Sequence, residues 1–203
     1  MPEYKEIKMT KQLLVEGDDA DYFFSALLEE LSISEIQIQN YGGKDELKGF
    51  LKQFCKVFGF WEKVVSLGIV RDAETNPSTA FQSVSGALCV AGLPVPQCPL
   101  DLTDTQPRIS VFILPDAETN GMLETVCLRS VEKDPAMFCV EEYFKCLKER
   151  LKFFPKNMEK ARLQAFLASR EKGPRMLGGA AKQGYWPWNS PIFENIKHFL
   201  NAL

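Results

Sequence analysis

The sequence predicts an α/β fold: a three-layer α/β/α sandwich with a mainly parallel sheet of about four strands, plus a C-terminal helical extension. Short apolar runs of strand length alternate with segments in which apolar residues recur at helical spacing. Two of these runs, Val64–Val70 and Ile109–Leu114, are predominantly apolar along their whole length, as is usual for parallel strands covered on both faces. Alternating strands and helices typically form a parallel sheet with a helical layer on each side.

The first elements are a strand, a helix and an edge strand. Gln12–Val15 is a short apolar run that ends at Glu16. Asp18 can cap a helix whose apolar residues fall on one face: Phe24, Leu27, Leu28 and Leu31. In Glu35–Gln39 apolar and polar residues alternate, which favours a strand at the edge of the sheet.

Turn and cap residues mark the next helices. A glycine pair at positions 42 and 43 leads into a helix with apolar residues at helical spacing: Leu47, Phe50, Leu51 and Phe54. Asn76 precedes Pro77, which suits the first position of a helix, and Asn120 precedes Gly121. Both asparagines are therefore expected to cap the helices that follow the two long strands.

The C-terminal third contains mainly helical patterns. Asp134 begins a helix with an apolar stripe, Asn157 begins a second, and Ser190 begins the last. Residues 173–184 are rich in glycine and basic, and they are expected to form a loop. We therefore divide the chain into an α/β domain, residues 1–133, and a helical extension packed on it, residues 134–203.

One connection is unusually long. Residues 93–107 are rich in proline and exceed the length of an ordinary loop in such a fold. We expect them to lie near the functional site as a flap, or to wrap around an edge of the sheet.

Composition limits the class of protein. In 203 residues, 45% of them apolar, no run approaches the roughly 18 apolar residues of a membrane span. The charged first 11 residues lack the apolar segment of a secretory signal. Six cysteines without a CxxC pair, together with a single histidine, argue against Cys/His zinc fingers. We expect a cytoplasmic protein with reduced thiols and no membrane contact.

Charge is distributed unevenly along the chain. Residues 1–144 contain 12 Lys or Arg and 23 Asp or Glu, whereas residues 145–182 contain 11 and 3. An acidic part that holds metal and a basic part that holds phosphates can together bind DNA or RNA. The candidate phosphate-binding residues are Lys156, Lys160, Arg175 and Lys182. The alternative is a solvated basic helix face.

Carboxylates follow each long strand, because the pentapeptide Asp-Ala-Glu-Thr-Asn occurs at both positions, as residues 72–76 and 116–120. Right-handed crossovers bring the carboxyl ends of parallel strands to one edge of the sheet, where ligands of open α/β sheets bind. The acids expected there are Glu16, Asp72, Glu74, Asp116 and Glu118. Oxygen ligands of this kind favour Mg²⁺ or Mn²⁺, although the same acids can also act only in caps and turns.

At these residues the chain resembles the Toprim (topoisomerase–primase) domain family. Glu16-Gly17 after the first strand is similar to the first motif of that family, and Asp72-Ala73-Glu74 is similar to its Asp-x-Asp motif. The resemblance covers about residues 11–131, and it is closest to small stand-alone Toprim proteins related to OLD-type nucleases. The segments Pro115-Asp116, 121–124, 178–182 and 186–188 support that similarity.

The resemblance implies a Toprim-like (Rossmann-like) sandwich and assigns roles to single residues. Glu16 would act in acid–base chemistry or bind metal, and Asp72 and Glu74 would hold Mg²⁺. Many family members carry a further acid four residues after the glutamate, where this chain has Ala20. That departure puts cleavage with two metal ions in doubt. No ATPase segment with a Gly-rich Lys-Ser/Thr loop is present.

Three functions remain open at this point. The first is a Mg²⁺-dependent phosphoryl-transfer enzyme on nucleic acid, most simply a nuclease, in which Lys182 would stabilise transition-state charge. The second is a non-catalytic module that binds nucleic acid, a nucleotide or a partner protein. The third is an enzyme that acts on a small phosphoester. Tyr185, Trp186 and Trp188 either stack on bases or pack against the sheet domain.

Overall fold

The protein is built around a sheet of parallel strands, as the sequence predicts. The computed structural model describes residues 4–174 and 176–203. The strands are β1 (Lys11–Val15), β2 (Ile36–Asn40), β3 (Ser66–Asp72) and β4 (Arg108–Leu114), and they lie in the order β2-β1-β3-β4. All three strand pairs are parallel, and β2 is at an edge, which confirms the interpretation of that segment.

Helices flank the sheet on both sides. They are α1 (Gly17–Glu30), α2 (Leu47–Phe54), α3 (Phe60–Lys63), α4 (Pro77–Ala91), α5 (Leu123–Ser130), α6 (Pro135–Arg150), α7 (Met158–Ala168), α8 (Leu177–Lys182) and α9 (Glu194–Ala202), with a 3-10 turn at Pro191–Phe193. In the part of the chain that the structure describes, no helix is long and apolar enough to cross a membrane.

Each face of the sheet has its own apolar core. Along β1, Leu13 and Val15 face one core and Leu14 faces the other, because successive side chains of a strand point to opposite faces. The first core lies under α1 and α5–α9, and the second lies under α2, α3 and α4. The molecule is therefore a three-layer, Rossmann-like α/β/α sandwich.

The C-terminal helices contribute directly to the first core. Trp186 is buried, with its ring stacked on Phe166, and Phe199 stacks on Phe112 of β4 with ring centroids 5.5 Å apart. Trp186 therefore packs in the core, as one of the two alternatives for the aromatic segment predicted. The division at residue 133 stays a prediction, since both parts share this core.

Gly68 of β3 allows the chain terminus to approach the sheet closely. A Cβ atom at this position would lie 2.6 Å from Leu203 Cδ1 and 2.9 Å from Phe199 Cζ. The side chains of α9 and the last residue therefore occupy the space above the middle of β3.

Several predicted caps are present, and two are not. Asn76 accepts a hydrogen bond from Thr79 N, and Asp134 and Asn157 cap α6 and α7 in the same manner. Asn120 was expected to cap a helix, but α5 begins only at Leu123. Asp18 lies inside the first turn of α1, where its carboxylate accepts from Asn40 Nδ2.

Two predicted loops also differ in detail. The glycine-rich region 173–184 contains α8, whose Gly178 lies so close to α1 that a Cβ atom there would be 2.3 Å from Tyr22 Cβ. The long connection 93–107 runs along β4, because Leu100 N donates to Val111 O and Thr103 N donates to Ile109 O. It therefore wraps an edge of the sheet, which is one of the two predicted alternatives.

Candidate functional site

A cavity of about 430 Å³ opens at the carboxyl edge of the sheet. Its acidic residues come from the junction of β1 and α1, from α1, from the end of β3 and from α5: Glu16, Asp18, Asp19, Asp72 and Glu124. Glycine backbone at positions 17, 42 and 43 and apolar side chains such as Leu114 and Leu123 complete much of the wall, and Lys160 adds one basic group. The fold thus brings Glu16 and Asp72 together, as the sequence predicts.

Glu16 is held by two buried groups. It follows the last residue of β1, and its Oε2 accepts a hydrogen bond from Nη1 of Arg71 on β3. Arg71 is only 6% exposed, so its charge depends on this carboxylate for compensation. Glu16 therefore has a fixed orientation at the cavity wall.

Tyr41 is the second buried residue that contacts Glu16. Its hydroxyl donates to Val70 O at 3.0 Å and lies 3.4 Å from Glu16 Oε2. Burial, and then the neighbouring charge of Glu16, raise the pKa of Tyr41 well above its usual range. The phenol therefore stays protonated and acts as a hydrogen-bond donor at this position.

Asp72 is the last residue of β3, and it connects the strand to α5. Its Oδ1 accepts a hydrogen bond from Leu123 N, the first amide of that helix, at 3.0 Å. Burial raises the pKa of Asp72 to about 7, and the charges of Glu124 and Glu16 add to the rise. The Leu123 amide and the Arg71 charge oppose it only in part. The cavity therefore concentrates negative charge without full compensation.

The other acids of the cavity have partners at its rim. Asp19 accepts a hydrogen bond from Gly178 N at 3.0 Å, which ties α8 to α1. Glu124 lies 3.7 Å from the ammonium group of Lys160, with 14% of its side chain exposed. Among the predicted phosphate-binding residues that the structure describes, Lys160 is therefore the one that lines the cavity.

The second pentapeptide lies outside this wall. Asp116 accepts hydrogen bonds from Thr119 N and the Thr119 hydroxyl, both at 2.7 Å, and from Arg129 Nη1 at 2.8 Å. Partial burial acts to raise the pKa of Asp116, but these bonds and one from Glu118 N outweigh it and lower the pKa to about 2. Glu118 itself is exposed.

Strand register explains why the two pentapeptides differ. Asp72 pairs with Leu114 across β3 and β4, so Asp116 falls two residues beyond the strand end. The residue that lines the cavity at the end of β4 is therefore Leu114. Asp116 and Glu118 were expected to lie beside Glu16 and Asp72. The described lining of the cavity includes neither of them.

Glu74 also points elsewhere. Its backbone forms an antiparallel bridge with Gly121, and its carboxylate pairs with Lys44 Nζ at 2.9 and 3.1 Å. Among the described residues, the lining of the cavity does not include Glu74.

The remaining basic residues are spread around the cavity. Lys156 is exposed, and Lys182 places its ammonium group 4.3 Å from the ring centre of Tyr22. In the described part of the chain Lys182 is not part of the cavity wall. Arg175 lies outside the described residues.

The donor set of the cavity consists of oxygens. Mg²⁺ binds oxygen ligands and usually keeps several waters, so Glu16 and Asp72 with bound water fit such an ion. Within residues 4–174 and 176–203, however, no three His, Cys, Asp or Glu side chains are arranged to hold a metal together. An ion at this position would therefore rely on two carboxylates and water.

Sequence reasoning did not identify Arg71, Tyr41 and Glu124 as site residues. Arg71 stands beside Asp72 in the motif, and a charged residue within an otherwise apolar strand is a signal that it has a buried partner. Glu124 had a signal too, since it lies in the first turn of the helix after β4. Tyr41 had the signal of its position, since it directly follows β2 and its strand end lies beside that of β1.

Comparison with known proteins identifies a family whose function is not known. Neither a curated protein nor a solved structure matches the chain. Residues 10–203, which include the whole sheet and the C-terminal helices, match the family described as Protein of unknown function (DUF3226). Because this match spans nearly the entire chain, the protein belongs to the DUF3226 family.

Proposed function

We propose that the protein carries out Mg²⁺-dependent phosphoryl transfer on nucleic acid, as a nuclease-like enzyme. The observation that carries the proposal is the pairing of Glu16 and Asp72 at one cavity, where burial and neighbouring acids raise the pKa of Asp72 to about 7. Perturbed carboxylates in a cleft are typical of functional sites. The resemblance of residues 11–131 to Toprim domains supports the same reaction.

A divalent cation suits this excess of negative charge. Asp72 and Glu16 would hold it, and Mn²⁺ would serve in place of Mg²⁺. When bound, the ion would polarise the phosphate and make a bound water more acidic. Cation binding would also favour the ionised form of Asp72, so metal affinity should rise with pH through about 7.

The other residues have supporting roles in this proposal. Arg71 and Tyr41 fix the orientation of Glu16, which would accept a proton from the attacking water. Lys160 at the rim would contact a phosphate, because its ammonium group is largely exposed and its partner Glu124 is 3.7 Å away. Neither step requires Asp116 or Glu118.

The second candidate function is a non-catalytic module that binds nucleic acid, a nucleotide or a partner protein. It is favoured by the Arg71 guanidinium, which already neutralises Glu16, and by Glu74, which pairs with Lys44. A carboxylate whose charge is already compensated in this way attracts a metal cation less strongly. We further propose a reducing, cytoplasmic setting, because all six cysteines are free thiols.

The decisive experiment compares Asp72→Asn with Asp116→Asn. The wild type should bind Mn²⁺ in a calorimetric titration and cleave DNA or RNA in its presence. Asp72→Asn should reduce cleavage by about 100-fold or more, since even supporting residues of metal sites cost 10- to 100-fold. Asp116→Asn, a matched change in the second pentapeptide, should leave metal affinity and cleavage unchanged.

Three outcomes separate the candidates. No heat of Mn²⁺ binding and no cleavage of single-stranded or duplex substrates would remove the enzymatic proposal. Metal-independent binding of nucleic acid by a protein that cuts nothing would support the module instead. Hydrolysis of a small phosphoester, with nucleic acids left intact, would assign the cavity to a different substrate.

A further inference from the structure

The connection between α6 and α7 is an exposed segment of mixed aromatic and basic character. Residues 151–156, Leu-Lys-Phe-Phe-Pro-Lys, are all exposed. Phe153 has 75% of its surface exposed, which places a large apolar ring in water next to two lysines. We name residues 151–156 the aromatic–basic segment.

One of its two rings anchors the segment to the protein. Phe154 packs edge-on against Phe144 of α6, with ring centroids 6.2 Å apart, and Phe144 belongs to the first core. Phe153 is left to project from the anchored backbone. Lys152 and Lys156 flank the rings, and within the described residues no ion pair occupies either ammonium group.

The segment leads directly to the acidic cavity. Asn157, the next residue, caps α7, and its Nδ2 lies 3.6 Å from Sδ of Met122, which precedes the cavity residue Leu123. One turn into α7, Lys160 reaches the cavity wall. Phe153 is at most about 14 Å from Asn157 along the extended chain. The exposed ring and both lysines therefore lie within a few residues of Asn157, and Lys160, one turn further along the chain, lines the cavity beside Glu124.

We propose that the aromatic–basic segment binds single-stranded nucleic acid and guides it to the cavity. Phe153 stacks on a base, while Lys152 and Lys156 contact the phosphates on either side. Non-sequence-specific single-strand sites combine these two features, an aromatic stacking surface and a positively charged track. The proposal rests on the proposed function for the purpose of the cavity, but the binding step is independent of the metal.

The surroundings favour a nucleic acid strand over a membrane. A membrane-bound helix presents a continuous apolar face. The exposed surface of α6 instead carries charged residues of both signs between its apolar residues, among them Glu141, Glu149 and Lys148, so it has no continuous apolar face. A single projecting ring suits a single base. Duplex DNA fits less well, because its bases are already paired and stacked.

The test uses fluorescence anisotropy with a labelled oligothymidylate of about 12 nucleotides, in EDTA. Phe153→Ala should weaken binding roughly 5- to 150-fold, the range for loss of one base–aromatic stack. The matched control is Phe138→Ala. Phe138 is 73% exposed but lies near the other end of α6, about 18 Å away along the helix. This control should bind like the wild type.

Salt dependence separates stacking from charge. Each change of Lys152→Gln or Lys156→Gln should lower the slope of log affinity against log salt by about 0.7, the value for one phosphate contact on a single strand. Phe153→Ala should keep the wild-type slope while it lowers affinity at every salt concentration. All variants change exposed side chains, so circular dichroism and melting temperature should match those of the wild type.

Clear outcomes would overturn the proposal. Equal affinity of Phe153→Ala and wild type would do so, as would equal losses in Phe153→Ala and Phe138→Ala. Loss of binding to phosphatidylserine vesicles in Phe153→Ala, with no oligonucleotide binding by the wild type, would assign the segment to a membrane. The assay contains no metal, so an affinity that depends on Phe153 would stand even if the cavity proves inactive. If the protein cleaves nucleic acid but Phe153→Ala leaves its affinity unchanged, only the role of the segment is refuted.

Discussion

The two copies of Asp-Ala-Glu-Thr-Asn have the same sequence and opposite chemistry. In the first copy Asp72 ends β3, lines the cavity and lies near two further acids. In the second copy Asp116 lies two residues beyond the end of β4 and is enclosed by Thr119 and Arg129. The position of a carboxylate relative to the strand end, more than the motif around it, therefore determines its role.

The backbone differs as well as the partners. The left-handed residue of the first copy is its glutamate, Glu74, with φ of 52°, whereas in the second copy it is Ala117, with φ of 70°. The turn of the second copy brings the amides of Glu118 and Thr119 onto Asp116 Oδ1. Within the described residues Asp72 receives a single backbone amide, that of Leu123 in α5. A short repeat is thus weak evidence for two equal metal ligands.

The largest predicted contrast is in the pH dependence of stability. The pKa of Asp72 is about 7 in the folded protein and near 3.8 in the unfolded chain, so between these values the folded state holds the extra proton. Stability should therefore fall as pH rises from about 4 to about 7, by up to about 4 kcal/mol. Asp72→Asn should remove this loss and be more stable than the wild type at pH 8.

Urea denaturation in EDTA, at several pH values, measures this difference between wild type and variant. The Asn side chain can still accept the hydrogen bond from Leu123 N, so the helix should keep its start. A constant difference between pH 4 and pH 8 would mean that Asp72 titrates normally, and the contrast between the copies would disappear.

The arginines next to the two sites should differ in importance. Arg71→Gln leaves the Glu16 carboxylate in the cavity without its buried partner, at a cost of about 3 kcal/mol in the free energy of unfolding. Arg129→Gln breaks the half-exposed pair with Asp116 and should cost about 1 kcal/mol or less. Urea denaturation at neutral pH measures both values.

The double variant Glu16→Gln/Arg71→Gln sharpens this comparison. Because it removes the carboxylate that Arg71→Gln leaves without a partner, it should recover part of the stability that Arg71→Gln loses. Equal effects of the two single arginine variants would show that burial does not distinguish the pairs.

A small effect is also expected at Asp116. Its folded pKa of about 2 is below the usual 3.8, so it stabilises the protein above pH 4, and this contribution is lost as pH falls through about 2. Asp116→Asn should cost about 1 kcal/mol at neutral pH, since solvent screens much of the interaction. In acid denaturation the wild type and the variant should converge as pH falls through about 2, opposite to the behaviour expected at Asp72.

Much of the fold could be predicted because its signals are local. The apolar runs gave β3 and β4, and Asn76, Asp134 and Asn157 gave helix starts. Gly178 shows the limit. The glycine-rich region was expected to be a loop, but close packing against Tyr22 makes it part of a helix. Tertiary contact there overrides the low helix propensity of glycine.

The site was predictable only where a strand end alone determines position. Glu16 and Asp72 follow directly from the ends of β1 and β3. Asp116 did not follow, because its distance from the cavity depends on how β4 is registered against β3. The turn that directs Glu74 to Lys44 depends on one left-handed residue, which no pattern of residue types specifies.

The close approach at Gly68 has an evolutionary consequence. Leu203 and Phe199 fill the space that a side chain at position 68 would need. A larger residue at 68 therefore fits only when the side chains at 203 and 199 both give way. Among DUF3226 proteins we expect these three positions to covary in size, so that a sequence comparison alone would reveal the docking of the C-terminal helix on the sheet.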